Sequence, residues 1–354
     1  MSPLPFSRWL VGVSALLALP AAVASERVQV VTSFSILADM VEQVGGEHVE
    51  VTSLVGPDGD AHVYSPSPGD ARALADADLV VFNGLLYEGW MERLIDSSDY
   101  AGALVTATQG IEPLARAGQD EHDSHDDHGH DEHADDEHDH DEHGHDGGDE
   151  EADHAHGDDD PHAWQDLARA ETYVENIRDG LIEADGDNRE TYEENAERYL
   201  AEIEKADDEI RALIEEIPPS TSVITGHDSF GYFADAYGVR FLSPVGLSTE
   251  ADPSGASMAE LIDVIEEENV EALFHENMTN QSILDQLAEE TGLSVAGTLH
   301  ADALSSEGEA STYLGMMRHN AKVLHDALAD PDHEDHGNED ERDHGDEDDH
   351  GHDH

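Results

Sequence analysis

Cysteine is absent from this chain of 354 residues. No disulfide framework can form, and no lipid can be attached through a cysteine near an export cleavage site. Lysine is nearly absent as well: Lys205 and Lys322 are the only two, beside 13 arginines. Against these 15 cations stand 85 Asp and Glu, for a net charge of −70. Polyanions would be repelled, so nucleic acid and anionic lipid surfaces are excluded as partners. No apolar run is long enough for a transmembrane helix. The stretch Leu10–Leu19 is too short to span a bilayer well. With Arg8 ahead of it and Ala22-Val23-Ala24 behind, it reads as a secretory signal over residues 1–24. The expectation is an exported, periplasmic chain with no direct membrane anchor. Nothing has the form of a Walker loop or a nucleophile elbow.

What the chain has in abundance is histidine beside acid. Residues 120–160 hold 11 His and 21 Asp or Glu, with no Lys, Arg or aromatic residue. A segment this polar cannot bury enough apolar surface to offset its ordering entropy, so a disordered loop is expected over 119–159. A second such segment is expected as a tail over 330–354. Acid alone would serve solubility, but histidines such as His125, His128, His130, His138, His140, His143 and His145 are not needed for that. Imidazole is the commonest protein ligand for zinc-like ions, so these residues read as weak metal sites. Outside both segments, 51 acids still face 14 bases. So acidic a folded part suggests a halophilic composition suited to a salty milieu that screens the charge.

The remainder alternates β-rich runs with helical patterns. Strands are expected at 28–32, 49–55, 79–82 and 103–106, with helices between them. After the His-rich segment come two helices, 164–182 and 188–217. Strands then return at 222–225, 239–244, 270–274 and 294–299. This order argues for an α/β fold of two lobes with mostly parallel sheets. The apolar positions Tyr192, Ala196, Tyr199, Ile203, Ala206, Ile210 and Leu213 are spaced by fours and threes. They predict one long helix with a continuous buried stripe, able to brace the lobes. The expected organisation is an N-terminal lobe over 25–187, a linking helix over 188–217 and a C-terminal lobe over 218–329.

Eight histidines lie outside the two rich segments. His62 follows a strand, His162 sits in Asp160-Pro161-His162-Ala163-Trp164 ahead of a helix, and His227 lies between a strand and a helix. Asp302 follows the strand 294–299. In open α/β sheets, ligands bind outside the carboxyl ends of strands, where His62 and His227 fall. Three imidazoles and one carboxylate suit tetrahedral zinc, whereas manganese more often recruits further oxygen ligands. Taken singly, each of these residues also fits a surface or helix-cap role. His48, His319 and His325 read as exposed or polar-face residues, and His300, two residues before Asp302, as a loop-surface residue with a peripheral place in the cleft as the alternative.

Further motifs group the chain. They include Gly56-Pro57-Asp58-Gly59-Asp60-Ala61-His62, Leu79-Val80-Val81-Phe82-Asn83-Gly84 before Glu88-Gly89-Trp90, and His227-Asp228-Ser229-Phe230-Gly231. Phe274-His275-Glu276 and Tyr313-Leu314-Gly315-Met316-Met317 complete the set. In order and spacing, from about Val28 to Leu328, the chain resembles the metal-binding (cluster A-I) solute-binding proteins of ABC importers, especially the zinc-uptake (ZnuA-like) type. The resemblance implies two βα-sandwich lobes joined by a bracing helix, with metal in the cleft on His62, His162, His227 and Asp302. It also implies a monomer that is not an enzyme and delivers Zn2+ to an ABC permease driven by a cytoplasmic ATPase. Manganese-type relatives tend to carry Glu at the place of His227, so zinc is expected and Mn2+ is the alternative. A stand-alone periplasmic metal buffer or chaperone is the rival role. His275 departs from the family pattern, and Glu276 or His275 could be an auxiliary ligand, although a supporting role is expected for both.

The His-rich loop is expected to act as a fast, weak collector that raises metal concentration near a tight site. Deleting residues 121–157 should lower the number of zinc ions bound while leaving one tight site, as read by competition titration. Loss of the tight site on deletion would make the loop part of that site.

Overall fold

The computed structural model describes residues 27–115, 159–249, 253–268 and 270–329. The expected signal segment 1–24, the tail 330–354 and all of the His-rich loop before Asp159 lie outside the described residues, and the seven loop histidines named above lie there too.

The first lobe contains β1 (Val28–Phe34), α1 (Ser35–Gly45), β2 (Val49–Val55), α2 (Pro68–Asp76), β3 (Leu79–Phe82), α3 (Met91–Ser98) and β4 (Ala103–Thr106). Its strands run parallel in the order β2-β1-β3-β4. Helices α4 (Leu167–Ala184) and α5 (Arg189–Ile214) follow. The second lobe contains β5 (Ser222–Ile224), α6 (Gly231–Tyr237), β6 (Arg240–Leu242), α7 (Gly255–Glu267), β7 (Val270–Glu276), α8 (Ser282–Thr291), β8 (Val295–Leu299) and α9 (Tyr313–Leu328). Its four strands are again parallel, in the order β6-β5-β7-β8. Both sheets therefore reverse their winding beside the first strand, between β1 and β3 and between β5 and β7. Such switch points open crevices at the carboxyl ends of strands.

Local chemistry sets the helix starts. Ser67 and Asp70 form a capping box around Pro68 at the head of α2. The sequence pattern predicts a helix from Trp164, yet α4 begins three residues later. Asp166 is extended and its side chain accepts from the Ala168 N–H, so it caps α4 and leaves Ala163–Gln165 as a separate 3-10 turn. That break frees the backbone around His162 from the helix.

The 26-residue α5 spans roughly 40 Å at 1.5 Å per residue. Its buried stripe is Tyr192, Ala196, Tyr199, Ile203, Ala206, Ile210 and Ile214. The last member is Ile214 rather than Leu213, which is half-buried, because a step of four keeps the stripe on the 3.6-residue period. Through this stripe α5 packs against α1 and α4 of the first lobe and α9 of the second. One core cluster accordingly runs through both lobes, from Val30 and Leu79 to Phe274 and Met316. A smaller cluster of Ile224, Leu261, Leu273, Leu284 and Leu287 lies under α7 and α8. No helix among the described residues is long and apolar enough to cross a membrane.

Gly180 lets α4 lie close on β4. A Cβ there would stand 2.3 Å from Val105 Cγ2. Replacing Gly180 with Ala should overpack this contact and cost about 1–3 kcal/mol, read as a lower urea midpoint with an unchanged slope.

Candidate metal centre

Each of the four candidate residues is delivered by a loop at the carboxyl edge of a sheet or by the break ahead of α4. His62 comes from the loop after β2. Its backbone N–H donates to Asp60 Oδ1 at 2.9 Å. His162 repeats the device two positions after Asp160: its N–H donates to Asp160 Oδ1 at 2.9 Å, and its ring Nδ1 lies 2.7 Å from the same oxygen. His227 follows β5, and Glu276 at the end of β7 grips it. Glu276 Oε1 accepts from the N–H groups of Gly226 and His227, at 3.0 and 3.1 Å, and Oε2 lies 2.6 Å from His227 Nδ1. Gly226 leaves room for this grip: a Cβ there would stand 2.8 Å from Thr279 Oγ1 and 3.0 Å from Glu276 Oε2, so the carboxylate would have to shift. Asp302 follows β8.

With carboxylates behind two of the rings, their Nδ1–H groups are fixed as donors and Nε2 is left facing inward. Three Nε2 atoms and the Asp302 carboxylate converge. Asp302 Oδ2 is 3.0 Å from His227 Nε2 and 3.2 Å from His62 Nε2. His62 Nε2 and His162 Nε2 are 3.4 Å apart. One ligand atom from each residue lies within 4.8 Å of all the others. A tetrahedral ion with ligands at about 2.0–2.1 Å separates neighbouring ligand atoms by roughly 3.3 Å, so these spacings fit one small cation. Asp302 Oδ1 has no hydrogen-bond partner although it is buried, an orphaned acceptor that a cation would satisfy.

Aromatic rings wall the site. Tyr87 meets the His62 ring at 4.7 Å, and Phe34, Tyr87 and Trp164 pack at centroid distances of 4.9–5.0 Å. All four candidates are buried, with His162, His227 and Asp302 fully so. In this dry setting the charges couple strongly. Burial opposes a charged His227, but the Glu276 and Asp302 carboxylates outweigh it and hold its pKa well above the usual imidazole value. Burial would raise Asp302, yet the His227 and His162 imidazoles hold it well below the carboxylate range. For His62 burial wins, and its pKa falls.

The family model described as zinc-uptake complex component A, periplasmic, matches residues 30–327. The chain belongs to this family. Among relatives it is 31% identical to the manganese-binding lipoprotein MntA of Halalkalibacterium halodurans, covering 86% of this chain and 89% of that protein. Among solved structures it is similar to the periplasmic zinc-binding protein TroA of Treponema pallidum, with a TM-score of 0.72 and 25% identity over 86% of this chain and all of that one. It is also similar to the manganese-bound S38A mutant of a periplasmic metal-binding protein from Candidatus Liberibacter asiaticus, with a TM-score of 0.69 and 27% identity over 86% of this chain and all of that one.

Within this zinc-uptake component A fold the four sequence candidates come together, and the two auxiliary candidates separate. Glu276 stands behind His227 rather than in the cluster. His275 points to the other face of β7, where its Nε2 lies 3.0 Å from Asp285 of α8. His300 was expected on a loop surface but is buried. Asn320 accepts from its backbone N–H and donates to its backbone carbonyl, drawing it against α9, where its ring meets His319. His319 itself is partly buried, against the Thr298 carbonyl. Sequence reasoning missed Asp60 and Asp160 as holders of the two histidines that follow them. The shared Asp-x-His spacing was the signal that could have found them, because an Asp side chain readily accepts from the N–H two residues on.

It also missed Glu88. This buried carboxylate accepts from Ser33 Oγ at 2.5 Å, Asn83 N at 2.7 Å and Gly84 N at 3.2 Å. Asn83 in turn donates from Nδ2 to the Pro161 carbonyl, beside His162, at 2.9 Å. Burial pushes the Glu88 pKa from 4.5 up to about 7 despite these donors. Between those values the folded chain holds a proton that the unfolded chain has lost, so this group makes stability fall as pH rises from 4.5 to 7. Glu88→Gln should remove that component. Urea midpoints of metal-free wild type and variant at the two ends of the window should show a shallower pH slope in the variant.

Proposed function

We propose that the protein is a periplasmic zinc-binding component of an ABC importer, which captures Zn2+ in its interlobe cleft and hands it to a membrane permease driven by a cytoplasmic ATPase. His62, His162, His227 and Asp302 are the ligands of the transported ion, and the protein works as a monomer without enzymatic activity. The observation that carries the reading is the convergence of three imidazole Nε2 atoms and one carboxylate at spacings suited to a tetrahedral ion. Family membership supports the importer role.

Capture follows from the electrostatics. The Asp302 carboxylate stays ionised and supplies the anionic ligand. His227 carries a proton that an incoming cation must displace, so affinity falls as pH drops. The carboxylates of Asp160 and Glu276 keep the rings of His162 and His227 turned inward before the ion arrives. The histidines of the segment 119–159 add many weak ligands that raise the metal concentration available to the tight site.

Manganese is the second reading, favoured by the manganese-binding name of the MntA relative and the manganese in the Liberibacter structure. Against it stands the donor set, with three nitrogens and a single carboxylate, where manganese favours oxygen. The test is a competition titration on the chain without its signal segment, and on a form that also lacks both His-rich segments. One tight zinc per chain is expected in both, outcompeting manganese. His227→Ala should lower zinc affinity by at least the roughly 10- to 100-fold typical of changes behind a metal ligand. Manganese winning the competition would overturn the zinc assignment.

A further inference from the structure

The three imidazoles are not held alike. His162 and His227 each have backbone N–H and ring Nδ1 gripped by one carboxylate. For His62, Asp60 holds the backbone N–H alone. Its second oxygen, Oδ2, accepts from Thr249 Oγ1 of the opposite lobe at 2.6 Å. Two residues earlier, Asp58 crosses the cleft as well. Its N–H donates to the Leu304 carbonyl at 2.9 Å. Its carboxylate accepts from Asn277 Nδ2 at 3.1 Å and from the Ser306 N–H at 3.2 Å. Asp58 adopts the left-handed region at φ 57°, a conformation Asp tolerates, and this turns both its backbone and its side chain toward the second lobe.

The loop carrying His62 is therefore tied to three loops of the second lobe: the one after β6 through Thr249, the one after β7 through Asn277, and the one after β8 through Leu304 and Ser306. The last of these also carries Asp302. His62 and Asp302 face each other at 3.2 Å across the cleft, one from each lobe. We propose that Asp58 and Asp60 form a clasp between the lobes that positions His62 against Asp302, and that the clasp sets how fast bound metal leaves the site. The two carboxylates act through His62 and the Asp302 loop without touching the ion, so they are positioning residues. The inference rests on the reading of the four-residue cluster as the metal site.

The test uses the full chain loaded with zinc and mixed rapidly with excess chelator. The slowest phase reports the tight site. Thr249→Val removes the donor to Asp60 at nearly constant shape, and Asp58→Ala removes the carboxylate contacts to Asn277 and Ser306 while leaving the backbone bond to Leu304. Each should quicken the slowest phase by roughly tenfold, the loss expected for a hydrogen bond to a carboxylate. Thr249→Ser keeps the hydroxyl and should restore the wild-type rate. A role confined to folding would lower the melting temperature of the metal-free chain and leave the rate alone. Wild-type release from Thr249→Val, or equally fast release from Thr249→Val and Thr249→Ser, overturns the clasp. A wild-type chain with no tight zinc overturns the zinc reading instead, and the same variants then test the clasp with manganese.

Discussion

The structure depends on a buried carboxylate, Asp302, that stays ionised without a lysine or arginine beside it. An unpaired charge in such a setting is costly, and the chain has few cations to spend. Imidazoles take their place. His62, His162 and His227 bring nitrogens to within 3.0–3.7 Å of the Asp302 oxygens. Two of them are backed in turn by the Asp160 and Glu276 carboxylates. Three carboxylates and three imidazoles leave the pocket negative when the rings are neutral. A divalent cation is the ligand that balances it, and protons are its competitors.

Such a pocket is worth building only if both walls hold still. The two parallel sheets place their carboxyl edges toward one another, and α5 packs against helices of both lobes. Closer in, Trp164 Nε1 and Gln165 Nε2 both donate to the Ala301 carbonyl, one residue before Asp302. Tyr313 at the head of α9 donates to the Trp164 carbonyl. The segment carrying His162 is thereby fastened to the loop carrying Asp302. The aromatic wall of Phe34, Tyr87 and Trp164 excludes water from the back of the site, which strengthens each electrostatic contact. Rings pre-oriented in this way need little rearrangement when an ion enters.

Much of the fold was legible because its signals are local. Short valine- and leucine-rich runs between glycine and proline turns fixed β2, β3 and β4 to the residue. The stripe on α5 was legible as a repeat of fours and threes up to its last turn. The helix after His162 was misplaced because a capping Asp166 outweighed the helical pattern around Trp164. His300 was misread because its burial comes from Asn320, twenty residues away on α9, which no local pattern announces.

By itself, the sequence determined the two α/β halves, the lack of cations and the histidine supply, since these follow from composition and periodicity; His62, His162, His227 and Asp302 stood out only through the resemblance to a family. Only the tertiary structure decided which atoms face one another. It set Nε2 inward through Asp160 and Glu276, moved His275 to the far side of β7, and tied the His62 loop to the opposite lobe through Asp58 and Asp60. The reason is separation along the chain: His227 and Glu276 stand 49 residues apart, and Asp60 and Thr249 stand 189 apart. The first contact exists only once β5 and β7 have paired, and the second only once the two lobes have closed on each other.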